Sequence, residues 1–461
     1  MTNTPITTTE RQLYDLCLHS FLSYWSFPNP HRPDARTSKE LCDVLVVCDR
    51  HILVFSDKSI AFPDGDPTLA WKRWKKRSVL NSVRQLHGAN RFLRLPNPHI
   101  YADRAQKTPL RCELPPIAER DIHLIAVANG ATEACSQLMG EPIGTLMLSN
   151  DTGETAPFVI GDVGHTDVFV HVFTDLSLRL VLHEFDTITD LVKYLHNRAA
   201  FFRGQMGVMA RGEEELIPLY FRGYSDLSKD YDIARAVSKI EEKPDQLWIE
   251  GGFYEDMLKR PEYIARRERN RVSYLWDGLI ERFAGHQIQG TSIQQRPSGF
   301  DRHEGGIRFM ALEPRVARRS HSEQLLHAIG RFPEDRDLTA RTIMPNQASS
   351  EMLAYLFLQF RSPTYISSYD EYRRVRSHLL QIYAMALLHD HASLARVVGI
   401  ATEPPRLFKD KRVSEDMVLV ERSMLTLAAL AEAKKEKMEL GLSTTITSGT
   451  WSGQEFPDTT E

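Results

Sequence analysis

The chain has 461 residues, of which 42 % are hydrophobic and 26 % are charged. This balance is typical of a globular protein with a substantial core, and the length suits two or three domains. The net charge of −4 excludes a global field that attracts nucleic acid, so any polyanion site must be a local basic patch.

The location of the chain is predicted from two features of its composition. No segment contains the roughly 18 consecutive apolar residues of a membrane helix, so we expect no membrane contact. The five cysteines form no C-x-x-C pair, which favours reduced core cysteines and a cytoplasmic location.

The first elements are predicted from capping signals and apolar runs. Thr7 and Glu10 have the spacing of a capping box, and a helical pattern follows them. Two dense β-type runs, Leu41–Cys48 and His51–Ile60, are separated by the two residues of a tight turn. A helix is then predicted over about 70–93.

The remaining elements divide the chain. Further strands are expected at 122–128, 144–148, 158–160 and 168–173, and a helix at 186–202 that closes a first domain near residue 210. From 211 to 440 the pattern is mainly helical, with helices predicted at 263–284, 322–329, 349–360, 369–389 and 414–440 and short strands at 306–312 and 395–400. The tail, 441–461, has the composition of a disordered segment.

The two β-type runs place a carboxylate beside a lysine. If they pair antiparallel around the two-residue turn, Asp43 lies opposite Ser56. Residues two apart share a face of a sheet, so Asp43, Ser56 and Lys58 project on one side and Asp57 on the other. A carboxylate can bind a divalent cation, and an ammonium group can stabilise the negative charge that grows on a phosphate under attack.

This pattern resembles the PD-(D/E)XK nuclease superfamily. That resemblance implies an α/β N-terminal domain with a restriction-endonuclease-like mixed sheet flanked by helices, followed here by a mostly α-helical region. Asp43 matches the first acid of the motif, and Lys58 matches its lysine. Glu10 matches the additional acid that some members carry on the leading helix. The position two before the lysine is Ser56, where the motif has an acid.

The resemblance also implies a catalytic set and a metal. We expect Asp43, Glu10 and Glu40 to hold Mg²⁺ or Mn²⁺. Lys58 and Asp57 complete the catalytic candidates, Asp57 if a bulge turns it inward. Two structural alternatives remain open: Asp43 and Lys58 could form only a buried ion pair, and Glu10 could serve only as the capping-box glutamate.

The helix after the hairpin is a candidate nucleic-acid surface. It contains no acid, and its candidate contacts are Lys72, Arg73, Lys75, Lys76, Arg77, Arg84 and, from the resemblance, Gln85. Such cations would bind phosphates without reading sequence. The alternative is a solvated helix whose Trp71 and Trp74 anchor it in the core.

Two functions follow from these observations. The first is a metal-dependent nuclease that hydrolyses DNA, with RNA not excluded. By analogy it would act in defence against phage or plasmids and be gated by a homo-oligomer or a partner protein. The second is an inactive nuclease-fold module, marked by Ser56, that binds nucleic acid or assembles with partners.

Overall fold

The computed structural model describes residues 7–34, 37–140, 145–150, 156–164, 167–204, 207–238, 246–290, 303–333, 335–345, 352–404, 414–440 and 454–456. The described residues form two compact units, one ending at Ala265 and the other beginning at Arg266.

The first unit combines helices with three sheets. Its strands are β1 (Ser26–Pro28), β2 (His31–Asp34), β3 (Thr37–Glu40), β4 (Val44–Cys48), β5 (His51–Ser59), β6 (Asp121–Asn129), β7 (Met147–Ser149), β8 (Val159–Ile160), β9 (Val170–Phe173), β10 (Gly207–Ala210) and β11 (Gln246–Ile249). Its helices are α1 (Thr8–Phe21), α2 (Pro67–Lys75), α3 (Asn81–Leu93), α4 (Thr132–Met139), α5 (Asp175–Glu184), α6 (Ile188–Phe202), α7 (Leu216–Arg222), α8 (Ile233–Ser238) and α9 (Phe253–Lys259), and α10 (Pro261–Asn270) contains the boundary to the second unit.

The main sheet of the first unit is mixed, in the order β1-β4-β5-β6-β9. β4 runs antiparallel to both β1 and β5, whereas β5, β6 and β9 are parallel. Every residue of β4 is buried, as expected for a strand covered on both faces. The predicted α/β N-terminal fold, with a mixed sheet flanked by helices, is confirmed.

The hairpin between β4 and β5 has the predicted register. Cys48 pairs with His51 and Val44 with Phe55 across the two-residue turn. Asp49 occupies the left-handed region at φ 56°, a conformation that aspartate tolerates better than most residues. The predicted single helix over 70–93 is instead α2, a π-helical segment (Lys76–Leu80) and α3.

A second sheet, in the order β11-β10-β7-β8, extends the first unit past residue 210. β11 pairs in parallel with β10, so residues 246–249 belong to the same sheet as residues 207–210. The predicted division near 210 therefore falls inside the first unit, because the sequence gives no sign of this long-range pairing.

The second unit packs helices around a four-stranded sheet. The sheet has the order β12-β13-β14-β15, from β12 (Leu338–Ile343), β13 (Leu353–Phe360), β14 (Arg396–Thr402) and β15 (Glu415–Glu421). The helices are α11 (Tyr274–Gln289), α12 (His303–Leu312), α13 (Arg315–Gly330), α14 (Tyr369–Asp390) and α15 (Leu427–Glu439), which agrees with the predicted helical character of this region. On β13, Leu356 packs with Leu380 of α14, whereas Tyr355 contacts Trp276 of α11, so both faces of the strand are covered.

Three predicted elements of the second unit are wrong. The helix predicted at 349–360 is β13 in its described part, and the strand at 306–312 lies in α12. The helix predicted at 414–440 is β15 followed by α15. A short apolar run has no period that separates a buried strand from a buried helix.

The predicted tail is described only at 454–456. Glu455 is buried there, and one of its carboxylate oxygens accepts a hydrogen bond from Nε of Arg266 at 2.7 Å. This part of the tail belongs to the second unit, and the rest of 441–461 lies outside the described residues.

Candidate functional site

The carboxyl end of β5 brings Asp43 and Lys58 together, as the hairpin predicts. The Nζ atom of Lys58 lies 3.7 Å from Oδ2 of Asp43. The Asp43 side chain is 3 % exposed and that of Lys58 is 32 % exposed. The pair thus places a buried carboxylate beside an ammonium group that solvent, and hence a ligand, can reach.

Asp43 lies where the regular ladder ends. Its N–H donates to the carbonyl of Phe55, the residue that already pairs with Val44. Its carboxylate accepts a hydrogen bond from the N–H of Asp57. The predicted Asp43–Ser56 pair is therefore not a ladder pair, but the carboxylate still projects over the end of β5.

Glu40, the last residue of β3, completes the group beside Asp43. Its carboxyl group donates a hydrogen bond to the Asp43 carboxylate. Burial, the Asp43 charge and this hydrogen bond raise the pKa of Glu40 to about 7. Burial also raises the pKa of Asp43, while the Lys58 charge opposes that rise. Burial beside one another raises the pKa of both acids, because each charged form is kept from water.

Asp57 projects from the other face of β5 but lies close enough to Asp43 for the two charges to interact. Phe55, two residues earlier, contacts Phe21 of α1, and the Asp57 side chain accepts hydrogen bonds from Thr9 of α1 and, at 2.8 Å, from Nδ2 of Asn129. Burial, together with the charges of Asp43 and Glu10, raises its pKa to about 6. The bulge that would turn Asp57 toward the face of Lys58 is absent from the described β5.

Glu10 forms the predicted capping box of α1. Oε2 of Glu10 accepts a hydrogen bond from the N–H of Thr7 at 3.0 Å, and Thr7 accepts one from Glu10. Its charge also raises the pKa of Glu40 and of Asp57. Glu10 therefore has a structural role, and it contributes negative charge to the site from α1.

Ser56 and Gln85 bind each other. The Ser56 hydroxyl is fully buried and donates to Oε1 of Gln85 on α3 at 3.2 Å. Ser56 therefore does not replace the missing acid of the motif. Glu40, which contacts Asp43 directly, is the acid that occupies the neighbourhood of the first carboxylate.

The donor set suits a hard cation with few protein ligands. Oxygen donors match Mg²⁺ or Mn²⁺, and Mg²⁺ usually keeps several waters and takes only one or two carboxylates. In the described part of the chain, no three of these carboxylates have oxygen atoms within 4.8 Å of one another. Asp43 and Glu40 fit such an ion, with Glu10 and Asp57 as more distant sources of negative charge.

The candidate nucleic-acid surface, formed by α2, the π-helical segment and α3, presents its cations to solvent and its tryptophans to the core. Trp71 and Trp74 are buried, stack with their ring centroids 5.3 Å apart, and Trp74 donates through Nε1 to the carbonyl of Ile60. The predicted cations Lys72, Arg73, Lys76, Arg77 and Arg84 are exposed, and Lys75 is half-buried over the Trp71 ring. The prediction that the two tryptophans anchor the helix in the core is confirmed. Because both rings are buried, they do not stack on nucleic-acid bases.

A second polar cluster, which the sequence interpretation missed, lies at the opposite end of β5. His51 begins β5 and pairs in register with Asp121, the first residue of β6, and His123 follows two residues later. His196 of α6 reaches the same carboxylate. The available signal was the Asp-x-His order at the start of a predicted strand, but linking it to His51 required knowledge of the parallel pairing.

Two arginine clusters of the second unit are internal. Arg315 and Arg318 both bind the Asp277 carboxylate, at 2.7 and 2.6 Å. Arg373 and Arg376 bind Asp416 in the same manner. These cations are committed to buried ion pairs and do not form a phosphate-binding surface.

Comparisons with known proteins add no assignment. No protein-family model, curated protein or solved structure matches this chain. Among the described helices, none has the length and apolar character needed to cross a membrane.

Proposed function

We propose that this protein is a metal-dependent nuclease whose active site is the carboxyl end of β5. The observation that carries the proposal is the approach of Lys58 Nζ to within 3.7 Å of the buried Asp43 carboxylate, beside the Glu40 carboxyl group. A bare ion pair would not require a further acid to be packed against Asp43, since burying like charges together is unfavourable.

The residues have distinct roles in this proposal. Asp43 and Glu40 would hold Mg²⁺ or Mn²⁺, which when bound orients a phosphate and acidifies a water molecule. Lys58 would donate hydrogen bonds to the phosphate oxygens as negative charge grows on them. Glu10 and Asp57 would support the site through their charge.

The substrate is proposed to be DNA, with RNA as the alternative. The exposed cations of α2 and the π-helical segment would bind the phosphate backbone without reading base sequence. The nuclease would act in the cytoplasm, in defence against phage or plasmids, with an oligomer or a partner protein restraining it. The free state of the five cysteines supports the reducing compartment.

Cleavage assays test the proposal. Plasmid, linear DNA and RNA would be incubated with Mg²⁺ or Mn²⁺ and with wild type, Asp43→Asn, Lys58→Met or the exposed-site control Glu119→Gln. We expect cleavage by the wild type and the control, and a loss of about 10²-fold or more in the other two.

A second outcome would support the inactive module instead. Ser56, which stands in an acid position and is bound to Gln85, is the observation that favours it. If neither wild type nor Asp43→Asn cleaves any substrate, but both bind DNA with equal affinity, the nuclease proposal is wrong.

A further inference from the structure

The second cluster gathers three imidazoles around one carboxylate. Nδ1 of His51 lies 3.0 Å from Oδ2 of Asp121, and Nε2 of His123 lies 3.1 Å from the same oxygen. Nε2 of His196 lies 3.2 Å from Oδ1. A single acid is thus shared by more imidazole nitrogens than it can neutralise.

One of these nitrogens lacks a hydrogen bond although it is buried. His123 is 4 % exposed, and its Nε2 has no hydrogen-bond partner of acceptable geometry despite its short distance from Asp121. A buried polar atom left without a partner is unfavourable, because it has lost its hydrogen bonds to water. A metal ion bound to both His123 and Asp121 would give this nitrogen a partner.

The spacing of the ligand atoms fits a transition metal. One ligand atom from each of His51, Asp121 and His123 lies within 4.8 Å of the other two. Tetrahedral Zn²⁺, with bonds of about 2.0–2.1 Å, separates its ligand atoms by about 3.3 Å. The nitrogen–oxygen distances of 3.0 and 3.1 Å are close to that value.

The backbone fixes these ligands before any ion arrives. His51 and Asp121 are register partners on adjacent parallel strands, and His123 projects from the same face of β6 as Asp121. His196, on α6, approaches from the helix layer, and its ring centroid lies 4.8 Å from that of His123. Ligands on rigid strands need little rearrangement, which favours tight binding.

We infer that His51, Asp121 and His123 form a binding site for Zn²⁺ or a similar transition-metal ion, and that His196 positions the Asp121 carboxylate by binding its other oxygen. Imidazole with one carboxylate prefers Zn²⁺, Co²⁺ or Ni²⁺ to Mg²⁺. The His196 side chain is 57 % exposed and that of Asp121 is 28 % exposed, so the ion would be accessible to solvent. This inference does not depend on the nuclease proposal.

The test is a Co²⁺ titration of the full chain after removal of metal by a chelator. With excess Mg²⁺ present to occupy the carboxylate site, we expect one equivalent of Co²⁺ to bind with visible ligand-field absorption, and Zn²⁺ to displace it. His123→Ala should abolish the signal. His196→Ala, at an exposed position, should weaken Co²⁺ binding by at least about tenfold because the Asp121 carboxylate loses a positioning contact.

Matched variants separate this site from others. His183→Ala removes another exposed histidine beside a carboxylate, and Asp43→Asn alters the other end of β5; both should titrate like the wild type. The inference is overturned if the wild type binds no stoichiometric Co²⁺ or Zn²⁺. It is equally overturned if binding survives unchanged in both His123→Ala and His196→Ala.

Discussion

Replacing Glu40 with glutamine should stabilise the metal-free protein at alkaline pH while weakening its response to Mg²⁺. Burial beside Asp43 raises the pKa of Glu40 to about 7 from an ordinary 4.5. A carboxyl group whose pKa is raised in the folded state contributes stability below its unfolded pKa, and that contribution is lost as the pH rises through the folded pKa. At pH 8 the ionised Glu40 therefore destabilises the fold.

The magnitude follows from the pKa values. One pKa unit corresponds to about 1.4 kcal/mol, so a pKa of about 7 in place of 4.5 would cost about 3 kcal/mol at pH 8 if Glu40 were fully buried. Glu40 is only half-buried, and solvent screening reduces the expected figure to about 1–2 kcal/mol. Glutamine resembles the protonated acid and can donate to Asp43 in its place.

The assay is urea unfolding of wild type and Glu40→Gln at pH 5 and pH 8, each with and without saturating Mg²⁺ or Mn²⁺. Without metal, the free energy of unfolding of the variant relative to the wild type should rise by about 1–2 kcal/mol from pH 5 to pH 8. With metal at about 100 times its Kd, the wild type should gain about 2.7 kcal/mol at pH 8 and the variant much less.

The control is Glu119→Gln, an exposed substitution expected to change stability by less than about 0.5 kcal/mol at either pH. The reasoning is refuted if Glu40→Gln differs from the wild type by the same amount at pH 5 and pH 8, or if the metal stabilises both proteins equally.

Three further predictions concern other parts of the structure. Asp416→Asn leaves the fully buried Arg376 without its carboxylate and should lower the free energy of unfolding by about 3–5 kcal/mol in denaturant titrations. Replacing the exposed Lys72 and Lys76 with glutamine should make the slope of log DNA affinity against log salt concentration shallower by up to about 1 for each lysine, without changing Tm. Fluorescence anisotropy measures the affinity. Trp74→Phe removes an indole donor that binds a backbone carbonyl and should destabilise the protein by about 1–3 kcal/mol in the same denaturant titrations.

The site at the carboxyl end of β5 could be predicted because its geometry is local. A two-residue turn fixes the register, and the two-residue period of a strand then decides which side chains meet. Asp43 and Lys58 follow from that rule, and they do lie together. The contribution of Glu40 was harder to define, since it depends on how β3 enters the site and not on the hairpin.

Features that depend on distant pairing could not be read from the sequence. His51 and Asp121 become neighbours only because β5 and β6 run parallel, and parallel strands are joined by long connections. The ion pair of Arg376 with Asp416 is equally hidden, because Asp416 lies on a strand, β15, in a region that the sequence predicts as helix. The apolar run of β13 was assigned the wrong type because burial on both faces removes the alternation that identifies a strand.

The two ends of β5 should select different ions, and this makes them separable. His51 is the first residue of β5 and Lys58 is the last but one. Seven steps of about 3.3 Å along the strand place their Cα atoms about 23 Å apart. Carboxylate oxygens favour Mg²⁺, whereas imidazole nitrogens favour the later transition metals. Excess Mg²⁺ should therefore leave the Co²⁺ absorption unchanged while still raising the free energy of unfolding of the wild type. In Asp43→Asn, the stabilisation by Mg²⁺ should be lost, whereas the Co²⁺ absorption should remain. If Mg²⁺ removed the Co²⁺ absorption, the two ions would compete for one site. The inference that the two ends of β5 select different ions would then be wrong.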